Sequence, residues 1–281
     1  MKIYVLAAFL IGILVGSVIG YYYFLPTNNE QRLGSKELAY LYLESSYNST
    51  LGLCYEHPGS NTYYLSHDNA LASYALQIWN REIADNISKT VEDLAALYGL
   101  ETHSSGLLRD GRIDILLGYS YDDLKNIDTS FEKDYLGSIL KTEMVLDTNA
   151  QVIQGYADLL CYSSLIEWRK NNSFGAQIYY NACKGMWKGN GFEDLVFNST
   201  GRYETYKLGL FYFLNKVIEA DAFEFEEELI KRAWQCQNKT SGGFRTHYYA
   251  NGTFPQDSLT NTETTSIMLL ANIPSTIKCG A

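Results

Sequence analysis

Apolar and polar residues along this chain recur mostly at helical spacing. In NISKTVEDLAALYGL (86–100), Val91, Leu94, Ala95 and Tyr98 fall three to four residues apart between charged neighbours, as on a helix with one face turned inward. The same period predicts a helix through KELAYLYLESSY with Ser35 as its cap. Another, opened by Ser66 or Asp68, carries Leu71, Tyr74, Ala75 and Ile78 on its apolar face. Further helices are predicted over NAQVIQGYADLLCYSSLIEWRK, FGAQIYYNACKGMW, YETYKLGLFYFLNKVIEA, FEFEEELIKRAWQCQN and TETTSIMLLANI. The period fails across 103–146, where GRIDILLGYSYDD mixes short β-like runs with turn residues. That stretch is predicted to be a small irregular or β insertion, and GNGFEDLVFNSTG a loop.

The start of the chain follows neither pattern. Ile3 to Leu25 holds no charged residue. As a helix it would be ~34 Å long, enough for a bilayer core of ~30 Å. Lys2 precedes it and Tyr21, Tyr22, Tyr23 and Phe24 close it, so the sequence predicts a retained single-pass anchor with the C-terminal domain outside the cytoplasm. Gly12, Gly16 and Gly20 form a small-xxx-small face suited to a homodimer of such helices. The predicted organisation is an anchor at 1–26, a linker at 27–34 and one domain at 35–281.

Within that domain the helix openings repeat. Asn69-Ala70, Asn149-Ala150, Glu204-Thr205 and Glu263-Thr264 each follow a glycine-containing loop. Repetition at this scale indicates stacked or circular helix hairpins. With GGF (242–244) followed by TNTETTSIMLLA, the pattern resembles the α/α-toroid superfamily of terpenoid cyclases, prenyltransferase β subunits and glycan-active enzymes. The resemblance implies an all-α domain, a complete or partial α/α-hairpin toroid, whose inner helices start at one rim. Asp68, Asp147, Glu204 and Glu263 would then line a common mouth. Each also has a plainer reading as a helix cap: Asp68 and Asp147 as N-caps, Thr260 with Glu263 as a capping box.

Charge and composition narrow the chemistry. A net charge of −10 disfavours nucleic acid as a partner. No phosphate-cradling loop, His-Glu-x-x-His or Gly-x-Ser-x-Gly motif is present, and no cofactor or metal is expected. The 24 tyrosines and the rim carboxylates suit a polysaccharide or glycoprotein ligand. Glycosidases need two carboxylates, one acting as acid and one as base or nucleophile. Glu204 and Glu263 lead as that pair, with Asp68 and Asp147 beside them. His67, Tyr203, Arg245, His247 and Tyr248 are the candidate substrate-binding groups, able to neutralise a uronate in a lyase. The alternative is a non-catalytic glycan- or protein-binding module, or a structural envelope protein. Asn48, Asn86, Asn171, Asn198, Asn238 and Asn251 begin glycosylation sequons. Of five cysteines, Cys161 and Cys183 lie level on consecutive helices and are predicted to form a disulfide. Cys236 with Cys279 is a weaker pair.

Overall fold

Ser35 opens the first helix. Its Oγ accepts from the Leu38 N–H at 3.3 Å, and α1 runs Lys36–Ser46 with Ala39, Tyr40, Tyr42 and Leu43 turned inward. The computed structural model describes residues 34–60, 63–98, 111–118, 125–149, 154–220 and 222–273. The chain divides into two units, 1–33 and 34–281. After α1 a short antiparallel pair, β1 (Tyr47–Asn48) and β2 (Leu53–Cys54), leads through β3 (Tyr63–Leu65) into α2 (Ser66–Leu76) and α3 (Arg81–Tyr98). Next come α4 (Gly111–Leu117) and a hairpin of β4 (Lys125–Tyr135) and β5 (Ser138–Asn149). Then follow α5 (Ala157–Arg169), α6 (Ser173–Gly185), α7 (Leu195–Thr200), β6 (Tyr203–Glu204) and α8 (Thr205–Val217). The described part ends with α9 (Glu226–Gln235), β7 (His247–Tyr248) and α10 (Thr262–Leu270).

The helices are of two kinds, and their sequences say why. α3 and α9 are amphipathic: α3 buries Ala84, Ile87, Val91, Leu94 and Ala95, and α9 buries only Leu229 and Ala233. Such helices cover a core from one side. By contrast, every residue of α2 except Tyr74 is buried, and α5, α8 and α10 are buried on almost all sides. A helix apolar all round must sit between other layers. Accordingly α3 packs on α2, α6 on α5 and α9 on α8, while the buried helices touch in the cyclic order α2, α4, α5, α8, α10 and back to α2. The outer neighbour of α10 comes from the other end of the domain, since α1 packs against it. Gln237 fastens that closure. Its Nε2 donates to Ser35 O and Gly242 O, each at 2.8 Å, and its Oε1 accepts from Ser35 N.

Several expectations need correction. The fold is not all-α: three small sheets accompany the helices among the described residues. The insertion is built as a hairpin whose turn residues Leu136 and Gly137 both have positive φ, 52° and 77°, the backbone that joins two right-twisted strands through two residues. Strand β5 pairs antiparallel with β4 and parallel with β3. It runs to Asn149, so Asn149 lies on a strand rather than at a helix start, and α5 begins at Ala157. The loop expected at 189–201 contains α7, started by Asp194 and stopped by Gly201 in the left-handed region.

The membrane anchor is corrected as well, together with the single-pass, outward-facing placement built on it. Among the described residues no helix is long and apolar enough to cross a membrane. The longest, α3 with 18 residues, carries Glu82, Asp85, Lys89, Glu92 and Asp93. Residues 3–25, including Gly12, Gly16 and Gly20, lie outside the described residues, as does Cys279.

The start of α10 is capped differently from expectation. Asn261, not a Thr260–Glu263 box, holds it: its Oδ1 accepts from Thr264 N–H at 2.9 Å. Asn261→Ala is expected to lower stability by about 1 kcal/mol, read as an earlier urea midpoint at unchanged slope.

Candidate functional site: a carboxylate-lined mouth at the helix starts

A phenol in the first turn of α8 is held by the first turn of α5. Tyr206, in the first turn of α8, donates its hydroxyl to Asp158 Oδ2 at 3.0 Å. Asp158 lies in the first turn of α5 and is 7% exposed. Its second oxygen, Oδ1, is buried without a hydrogen-bond partner. Burial pushes the Tyr206 phenol well above its usual range, and the charges of Asp158, Glu204 and Glu263 push it further. The hydroxyl that Asp158 holds thus stays protonated at neutral pH, with the charges of Glu204 and Glu263 acting in the same sense.

Beside them sits a buried ammonium. Lys207, 3% exposed, contacts Asp194 Oδ2 at 2.5 Å and also pairs with Glu204 Oε2. Desolvation alone would lower its pKa, but Asp158, Glu204 and Asp194 outweigh that and raise it. Lys207 is therefore charged, and its buried ammonium is paired with two carboxyl side chains. Asp194 is also a junction. Its Oδ1 accepts from the N–H groups of Val196 and Phe197, capping α7. Its Oδ2 accepts from Ala157 N–H at 3.1 Å, fixing the start of α5.

On the outer side of Glu204 stands His247. Strands β6 and β7 pair Glu204 with His247 in register, placing the imidazole Nε2 4.0 Å from Glu204 Oε1. Nδ1 lies 2.9 Å from Thr246 Oγ1. Partial burial lowers the His247 pKa below its ordinary value, against the opposing pull of Glu204. The ring is thus neutral at pH 7. Further out, Arg202 grips Asp257 with Nη1 2.9 and 2.8 Å from the two carboxylate oxygens.

Some of the expected residues meet here and others do not. Glu204, Glu263 and His247 belong to the cluster. Asp68 is the third residue of α2 rather than its cap; it is fully buried and pairs with His67 Nε2 at 3.1 Å. Burial and, among weaker effects, the Asp68 charge raise the Tyr42 phenol. Asp147 falls on β5 instead of a helix start, and its side chain lies outside the described residues; Asp158 stands where a carboxylate was expected. Tyr203 and Tyr248 are core rings, 3% and 0% exposed, stacked on each other at 5.2 Å, so neither offers a face to a sugar. Arg245 donates to Ser258 O at 2.9 Å and lies over the Phe254 ring, bracing a loop.

Of the sequon asparagines, Asn86, Asn171, Asn198 and Asn251 are exposed. Asn48 donates to the Tyr64 hydroxyl and Asn238 accepts from Thr240 N–H, so each of those amides already has a structural partner.

Sequence reasoning missed Asp158, Tyr206 and Lys207, and saw Asp194 only as a loop carboxylate beside the rim. Lys207 had one visible signal: it interrupts the apolar run of YETYKLGLFYFL in the first turn of a helix. Among the described residues no group of three or more His, Cys, Asp or Glu side chains could hold a metal ion. Comparison with known proteins gives no matching family model, no matching curated protein and no matching solved structure, so the chemistry of the mouth rests on its own residues.

Proposed function

We propose that the mouth is an acid–base site acting on a polysaccharide or glycoprotein glycan, by hydrolysis or by elimination. One observation carries this reading: the Tyr206 phenol donates to the Asp158 carboxylate at 3.0 Å, beside the Lys207–Glu204 pair, with the charges of Glu204 and Glu263 acting on the same phenol. Glycan cleavage needs a carboxylate that stays ionised and a second group that gives up a proton. Glu204, which pairs with the Lys207 ammonium, takes the first role. Glu263, at the start of the neighbouring helix, serves as the proton donor. The unpartnered Asp158 Oδ1 provides an acceptor for a sugar hydroxyl. Neutral His247 is placed to exchange a proton at the solvent side of Glu204.

The test is turnover of a panel of neutral and uronate-containing polysaccharides by the wild type, Glu204→Gln and Glu263→Gln. Each substitution keeps shape and removes the ionisable carboxyl. Loss of an acid or base is expected to lower kcat ~100-fold or more with a smaller change in KM. New reducing ends without ultraviolet absorbance identify hydrolysis, and an unsaturated product absorbing near the ultraviolet identifies elimination. Undiminished turnover in both variants removes the pair from catalysis. Wild-type binding to a glycan without turnover replaces the enzyme with a binding module.

A further inference from the structure

Four cysteines are described, and all are buried. Two of them face each other: Cys161 Sγ on α5 and Cys183 Sγ on α6 are 3.5 Å apart. Cys54 and Cys236 instead contact backbone carbonyls, those of Leu43 and Arg232. We propose that Cys161 and Cys183 are a disulfide-forming pair that fastens α5 to α6 behind the candidate mouth. This inference stands apart from the glycan reading.

The hairpin sets the register. Asn171 turns the chain with a φ of 59°, and Asn172 caps α6 by accepting from Gly175 N–H. Ser164 Oγ donates to Ala176 O at 2.8 Å, forming one rung between the helices. Cys161 and Cys183 form another rung further from the bend, about one turn along α5 and two turns along α6. Bond formation brings the sulfurs to about 2.05 Å, a closure of about 1.5 Å that side-chain rotation shares between two residues. The location also matters. Cys161 is one turn beyond Asp158, and Cys183 Sγ donates to Ala157 O at 3.4 Å. A covalent tie there replaces that weak contact next to the carboxylate that Tyr206 holds.

The oxidant is a small-molecule disulfide such as oxidised glutathione. One cysteine thiolate attacks it, forming a mixed disulfide and releasing one glutathione thiolate, which takes up a proton. The second cysteine thiolate then attacks the protein sulfur of the mixed disulfide. The protein S–S bond forms and a second glutathione leaves. Two thiols are oxidised and one glutathione disulfide is reduced to two thiols. Both sulfurs are at most 1% exposed and burial holds the Cys161 thiol well above its ordinary pKa. The exchange therefore belongs to folding or to opening of the hairpin, not to the closed state.

The full-length chain is refolded in a mixed oxidised and reduced glutathione buffer, alkylated in denaturant and digested without reduction. The expected result is a linked Cys161–Cys183 peptide pair. Relative to the reduced protein, Tm should rise by about 5–10 °C, and the rise should be absent in Cys183→Ser. Alkylation of both thiols after oxidative refolding overturns the proposal, as does a linkage of either residue to Cys54, Cys236 or Cys279. The peptide map is read on the wild type, so it decides the question even if Cys183→Ser folds poorly.

Discussion

Replacing Lys207 by methionine is expected to cost the protein about 3–5 kcal/mol, the cost of removing one partner from a buried ion pair. Methionine fills much the same volume, so the loss reports charge rather than a cavity. Without the ammonium, Asp194 and Glu204 remain in a site where Lys207 was 3% exposed. Asp194 then also strains the starts of α5 and α7, which it fixes through Ala157, Val196 and Phe197. The pH dependence has a definite sign. Against desolvation, the neighbouring carboxylates raise the folded pKa of Lys207 above the ordinary value of a lysine, about 10.4. Its stabilising contribution is therefore complete below about pH 10.5 and is lost as pH climbs through the higher folded value. Denaturant titrations of wild type and Lys207→Met at pH 7 should differ by the full amount, and the gap should narrow only above about pH 10.5. A difference under ~1 kcal/mol at pH 7 would mean that the ammonium has no net role in holding the carboxylates.

The outer helices were legible in the sequence because they are amphipathic. The interrupted apolar stripe of α3 and the Ser35 cap of α1 are local signals, and each lies where its residues suggest. The buried helices were not legible in the same way. A helix apolar on all sides has no stripe, so nothing local gives its first residue. That is why the helix around 149–170 was placed several residues too early. Asp147 was then taken for a rim carboxylate while Asp158 passed unnoticed. The polar residues of the buried helices misled in a second manner. Ser66, His67, Asp68 and Asn69 read as a solvated cap, yet all four are buried. Asn69 ties α2 to β2 and β3: its amide accepts from Cys54 N and donates to Cys54 O and Leu65 O. Such partners are distant in sequence and invisible to periodicity. Tyr203 and Tyr248 failed for the converse reason, since loop position suggested exposure and the short β6–β7 pairing drew them into the core. Glu204 and Glu263 do stand at the starts of two buried helices, α8 and α10, that pack side by side, so for these two the repeated opening matches a helix start.

Gly242→Ala is expected to be the most damaging single-methyl change in the domain, at roughly 2–5 kcal/mol, and it tests how the cycle of buried helices is closed. Two costs combine. Gly242 has a φ of +86°, a conformation that costs an L-residue roughly 1–2 kcal/mol. A Cβ there would also stand 2.0 Å from the backbone oxygen of Leu38 in α1. A backbone oxygen cannot rotate away as a side chain can, so α1 or the 238–243 turn must move, at the cost of overpacking. Movement would disturb the Gln237 bonds to Ser35 and Gly242, which join the chain start to the turn after α9. Gly201 separates the two costs. It has a φ of +68°, but a Cβ there meets nothing within 4 Å. Gly201→Ala should therefore lose only about 1–2 kcal/mol, the conformational part. Urea unfolding of both variants gives the comparison directly. If Gly242→Ala loses no more than Gly201→Ala, the contact between the Gly-Gly turn and α1 does not constrain the fold, and the closure rests on the apolar packing of α1 against α10 alone.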